Sequence, residues 1–124
     1  MRHYLNVATI QQAIQLERQF QDDKWGGKPH DRDHTMAEWA LILSREVGEA
    51  MDALGAMHWE RDDEGTPLER YAHTREELVQ VAAVAIAIIE VLDQDAENGF
   101  CDECGEPLMF ASMSTCGQCV QAHR

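Results

Sequence analysis

Residues 66–97, TPLERYAHTREELVQVAAVAIAIIEVLDQDAE, decide the fold class. The stretch opens with Thr66, then Pro67, and Glu69 follows three residues after the threonine. That is a capping box with proline at the first helical position, where its missing N–H costs nothing. From Leu78 to Leu92 the sequence is apolar almost all round, the mark of a helix buried on several sides. One long helix is therefore predicted, from the cap at Thr66 to about Glu97.

Upstream, the same signature appears twice more. Thr35 and Glu38 form a capping box, after which Met36, Trp39, Leu43, Val47, Met51 and Leu54 recur at helical spacing. They predict an amphipathic helix to about Trp59. Thr9 and Gln12 predict a further helix to about Asp22. Residues 60–65, ERDDEG, form a polar turn that lets the second and third helices pack antiparallel, and residues 23–34, DKWGGKPHDRDH, read as a loop. Asn98-Gly99 ends the long helix. The expected fold is all-α, an antiparallel helical bundle over 1–97 followed by a distinct segment over 98–124. Three helices are too few to cover so apolar a third one, so the surplus surface is expected to be buried in a homodimer or homotetramer.

A formal net charge of −13 argues against binding a nucleic-acid polymer, which needs a basic footprint. It permits a small anionic substrate when metal ions bridge the two. There is no apolar run of membrane-spanning length, and MRHYLNVATIQQ lacks the apolar core of a signal peptide. The expectation is an acidic, soluble cytoplasmic protein.

Three carboxylates carry most of the chemistry. Glu46 and Glu49 stand three apart in SREVGEA, on one side of the second helix, where they could jointly grip a hard divalent cation. Glu77 on the third helix could complete the cluster. At 100° per residue all three flank apolar stripes, partly desolvated yet reachable, whereas Arg45 and Asp52 fall on the solvated side. Acidic helix rims are common without a metal, and Glu77 could instead belong to the first turn of a shorter helix capped at Thr74.

WALILSREVGEAMDAL followed by REELVQVAAVAIAIIEVLD resembles the MazG-like, all-α nucleoside triphosphate pyrophosphohydrolases, and QDDKWGG resembles a segment of their phage- and prophage-type members. The likeness covers roughly residues 10–97. The family pattern is EExxE, a spacer, then ExxD, with the carboxylates holding magnesium. The resemblance implies Mg²⁺-dependent (or Mn²⁺-dependent) hydrolysis of NTPs or dNTPs to nucleoside monophosphate and pyrophosphate. Glu46 and Glu49 match the second and third acids of the first motif, and Glu77 the first acid of the second. Arg45 stands where a glutamate is expected and Gln80 where an aspartate is expected. A glutamine carbonyl still ligates magnesium but adds no charge. Glu76, four residues before Gln80 and placed on the surface, could compensate in part. Arg45 could touch phosphate oxygens. The alternative is a weakened relative that binds nucleotide or a protein partner without turnover.

Lys24 and Trp25 are candidate substrate contacts, a cation for phosphate and a flat face for a nucleobase; Trp25 could equally anchor its loop. Trp39 and Trp59 read as core or interface residues. His30 and His34 are four apart but lie in a loop without a third partner.

The tail, FCDECGEPLMFASMSTCGQCV, holds all four cysteines as two CxxC pairs, Cys101/Cys104 and Cys116/Cys119. Two such turns close a tetrahedral Cys₄ site for structural Zn²⁺, whose binding would supply the folding energy of so short a segment. A thioredoxin-like redox pair would need a βαβ setting that is missing.

Overall fold

The computed structural model describes residues 9–25, 33–59 and 65–122. Four helices account for most of them: α1 (Ile10–Trp25), α2 (Met36–Trp59), α3 (Pro67–Asn98) and the short α4 (Gly117–Ala122). No strand occurs among the described residues; a single antiparallel bridge joins Phe100 to Pro107. The chain divides into two compact units, Met1–Ala87 and Ile88–Arg124, with the division falling inside α3.

The helix starts are built by the caps. Gln12 N–H donates to Thr9 Oγ1 at 3.0 Å while Thr9 N–H donates to Gln12 Oε1 at 3.2 Å. Glu38 and Thr35 exchange the same pair of bonds at 3.1 and 3.2 Å. At α3, Glu69 N–H donates to Thr66 Oγ1 at 3.1 Å. Each box satisfies backbone donors that a helix start leaves orphaned. Helix α1 runs three residues beyond the expected Asp22, through Asp23, Lys24 and Trp25. Nothing before Gly26 breaks a helix, so Lys24 and Trp25 occupy its last turn instead of a loop.

In the first unit α2 and α3 run antiparallel: Met57 near the end of α2 meets Thr74 near the start of α3, whose hydroxyl donates to Met57 Sδ at 2.9 Å. Apart from Trp39, the buried apolar residues of these two helices are small, Ala50 and Ala53 on α2 and Val79, Ala83, Val84 and Ala87 on α3. Ala13 of α1 packs on Val79, with Ile14 beside it. Alanine faces let helices approach closely but bury little area, so the large apolar side chains end up elsewhere. Trp39 is the one large apolar side chain buried in this unit among the described residues, at 4% exposure.

The long apolar segment is buried on one face only. Val79, Ala83, Val84, Ala87 and Val91 are buried, whereas Leu78, Ile89 and Leu92 are about half exposed. A helix with too few neighbours in its own chain has no other outcome.

The second unit is a knuckle closing on the end of α3. Gly99, at φ +83°, adopts the left-handed conformation that terminates helices, and its N–H donates to Asp95 O at 2.9 Å. Asn98 Nδ2 then donates to Leu108 O at 3.3 Å and Met109 O at 3.0 Å. Cys101 and Leu108 form its buried centre, both at 3% exposure.

Candidate functional site

Glu46 and Glu49 project from α2, and Glu77 from the facing turn of α3. Their carboxylate oxygens lie within 4.8 Å of one another. The antiparallel pairing of α2 and α3 makes this possible, because it sets residues 46–49 of one helix beside residue 77 of the other. Glu77 is the most enclosed of the pair whose side chains flank the opening, 13% exposed against 42% for Glu49. Glu77 Oε2 is fully buried with no hydrogen-bond partner.

Like charges held this close resist ionisation. Burial raises the Glu46 carboxyl above its ordinary value, and Glu49 and then Glu77 push it further. Glu77 is raised by burial first and by the Glu49 charge second.

This donor set suits a hard cation. Oxygens around octahedral Mg²⁺ stand about 3–4 Å apart, so small rotations of the three side chains would close the cluster. Glu77 Oε2, buried and without a hydrogen-bond partner, is an oxygen that such a cation would satisfy. Three carboxylates could therefore hold a divalent metal ion at this position.

The other positions singled out from the sequence are dispersed around the cluster. Arg45, 80% exposed, pairs with Glu49 through Nε–Oε1 at 3.3 Å. Lys24 rests its ammonium 4.8 Å from the centroid of the Trp25 ring. Trp25, itself 55% exposed, joins Gln21, His34, Trp39, Arg45 and Glu46 around a cleft of about 280 Å³. Gln80 is half buried one turn beyond Glu77 and lines neither cleft beside the cluster. His34 bonds Glu38 at 3.4 Å and stands edge-on to Trp39, with centroids 4.8 Å apart. Its suggested partner, His30, lies outside the described residues.

One expectation needs correction, and three other positions show features that the sequence did not. Glu76 is not on the surface: it is 6% exposed, turned away from solvent. Asp52 is exposed as expected, yet it lines a second, larger cleft of about 580 Å³ together with Glu49, Arg70, His73 and Glu77. Trp39 is buried, but its Nε1 has no hydrogen-bond partner, which is uncommon for a buried indole. Of the core or interface places expected for Trp59, the core of this chain is not its place: the ring is 79% exposed and folded back over Gly55.

Sequence reasoning missed Glu17. It is the largest fully buried side chain in the described structure, at 2% exposure, and its charge acts on Glu46. Gln21 Nε2 donates to Glu17 Oε1 at 3.3 Å. The available signal was the four-residue spacing Ala13, Glu17, Gln21, which puts all three on the inward side of α1.

In the knuckle, the sulfurs of Cys101, Cys104, Cys116 and Cys119 also lie within 4.8 Å of one another. All four cysteines are unpaired, and Cys104 Sγ stands 3.6 Å from Cys116 Sγ. A tetrahedron with Zn–S bonds of about 2.3 Å spaces its sulfurs by about 3.8 Å. The backbone favours thiolate: N–H groups of Cys104, then Cys116, hold Cys101 down at about 6. The Cys116 N–H reaches Cys101 Sγ at 3.2 Å. Cys119 is pushed up instead, by Cys116 first and Cys104 second, because sulfurs so crowded cannot all ionise without a cation. Gly105, at φ +76°, makes the tight turn after the first pair and donates to Cys101 O at 2.9 Å. These four cysteines could hold a metal such as zinc.

None of the described helices is long and apolar enough to cross a membrane. No family model, no curated protein and no solved structure matches the chain.

Proposed function

We propose that this protein is a MazG-like, Mg²⁺-dependent nucleoside triphosphate pyrophosphohydrolase, active as a homo-oligomer and carrying a structural zinc knuckle. The observation that supports it best is the convergence of Glu46, Glu49 and Glu77 from two helices within 4.8 Å, with one buried, unpartnered carboxylate oxygen. Carboxylates so placed are costly without a cation. Bound there, Mg²⁺ or Mn²⁺ would neutralise the triphosphate and polarise the phosphorus under attack.

The chain's own residues do the rest. Glu46, Glu49 and Glu77 hold the cation, and one of them accepts the proton of the attacking water as pyrophosphate leaves. Trp25 offers an exposed ring face to a nucleobase at the mouth of its cleft, and Lys24 and Arg45 offer charge to the phosphates. Four thiolates around zinc leave it no open position, so the knuckle's role is structural.

A second reading has two observations in its favour. The Arg45 ion pair occupies an oxygen of Glu49, and Gln80 supplies no charge. Both would suit a relative that binds nucleotide or a protein partner without hydrolysing it.

Pyrophosphate release from a panel of NTPs and dNTPs with Mg²⁺ or Mn²⁺ separates the two. Release that is abolished by Glu49→Ala is expected. Absence of release across the panel, or release indifferent to that substitution, refutes the enzyme; nucleotide binding without turnover selects the second reading.

A further inference from the structure

Gln21 lines the cleft of about 280 Å³ together with Trp25 and Glu46, and it stands one turn before Trp25 on the same side of α1. Its amide is held from behind. Gln21 Nε2 donates to Glu17 Oε1 at 3.3 Å, and Glu17, at 2% exposure, is no part of the cleft wall. A carboxylate oxygen accepts and does not donate. The amide must therefore turn its NH₂ towards Glu17, which leaves its carbonyl oxygen for the cleft. The reversed amide would set two acceptors against each other with no hydrogen between them.

An apolar side chain at position 17 would fill the inner side of α1 at less cost than a carboxylate. Ala13 and Ile14, which pack α1 on Val79, need no charge beside them. Holding Gln21 in one orientation gives the buried glutamate a use. Trp39 lines the same cleft, and its buried indole N–H has no hydrogen-bond partner. The wall thus includes an oriented acceptor and an unused donor.

We infer that Gln21 reads the nucleobase and that Glu17 positions it, so that the cleft selects bases with an exocyclic amino group, cytosine and adenine, over their keto counterparts. The inference rests on the nucleotide reading proposed above and names its substrate class. The amino group of cytosine or adenine donates to Gln21 Oε1. The ring nitrogen beside that amino group is an acceptor, the partner that the Trp39 N–H lacks. In uracil or hypoxanthine a carbonyl replaces the amino group and meets the Gln21 carbonyl acceptor to acceptor. Stacking on Trp25 does not distinguish the two kinds of base, because every base has a π-face.

Turnover of CTP against UTP, and of ATP against ITP, by the full, zinc-loaded chain with Mg²⁺ tests this, since each pair differs at that edge. The amino member of each pair should have the higher kcat/KM, by about tenfold or more. Gln21→Met keeps the length of the side chain without its amide and should bring both ratios to about one. Glu17→Gln keeps the shape but can donate as well as accept, so it frees the Gln21 amide to turn; both ratios should fall at least about threefold. A ratio within one variant cancels any shared loss of metal or of folded protein, so a merely structural Glu17 would leave it unmoved. Equal turnover within both pairs would overturn the selection and leave the hydrolase standing. Ratios that survive Gln21→Met, or that Glu17→Gln does not move, would overturn the roles given to these two residues. With no hydrolysis of any nucleotide the enzyme reading fails, and the same ratios are then read as dissociation constants by calorimetric titration; equal binding within the pairs, or none, would overturn the selection as well.

Discussion

Replacing Glu77 by glutamine should stabilise the magnesium-free chain and abolish its stabilisation by Mg²⁺. The substitution keeps the shape of the side chain and removes one charge from a cluster whose oxygens lie within 4.8 Å. At that outer limit two unit charges repel by about 0.9 kcal/mol in bulk water and about 3.5 kcal/mol at an effective dielectric of about 20. Glu49 is 42% exposed, so solvent screens its share and the lower figure governs that pair. Glu46 is half buried and counts for more. Relief of roughly 1–2 kcal/mol follows, which for a chain of this size is a rise in Tm of about 4–8 °C. Differential scanning calorimetry in magnesium-free buffer, with zinc retained, measures it. Titrating Mg²⁺ should then raise the Tm of wild type and leave the variant where it is. A variant less stable than wild type without magnesium, or one that gains as much from Mg²⁺, would refute the view that these carboxylates form a strained cation site.

The same cluster sets a pH dependence. Glu46 and Glu77 are raised above 4.5, so their contribution to stability is fully present below that value and is lost as pH rises through their folded-state values. The Tm gap between Glu77→Gln and wild type, without magnesium, should therefore open as pH rises from about 4.5 towards 7; a gap constant with pH argues against it. Gln80→Asp adds a carboxylate one turn beyond Glu77 and should tighten Mg²⁺ binding about tenfold by calorimetric titration, whereas unchanged affinity would place residue 80 outside the site. Cys116→Ser should lower the bound zinc, measured by mass spectrometry of the native chain, from one per chain to a small fraction, and destabilise residues 88–124 in hydrogen exchange while sparing α1. Asn98→Ala removes the donor to Leu108 O and Met109 O and should cost about 1–2 kcal/mol of protection in the same unit.

Local chemistry was legible from the sequence. Thr9, Thr35 and Thr66 cap where their spacing to Gln12, Glu38 and Glu69 says they should, because a capping box is complete within four residues. The two CxxC pairs were equally plain, since each brings its sulfurs together within four residues, the second by running into the first turn of α4. The end of α1 was misjudged because residues 23–25 favour neither helix nor loop strongly.

Periodicity gave the angle of each side chain on its own helix, and that sufficed to bring Glu46, Glu49 and Glu77 to the edge of the apolar stripes. It could not say what stands opposite. Burial of Glu17 and Glu76, the opening of Asp52 onto the cleft beside Glu49, and the exposure of Trp59 all depend on which helix packs against which. So does the outward apolar stripe of α2, whose residues carry the same periodic signal as a core face. Capping, turn and ligand chemistry act over a few residues and are written in the chain itself. Desolvation, charge repulsion and packing are properties of neighbours far apart in sequence, and only the tertiary structure decided them.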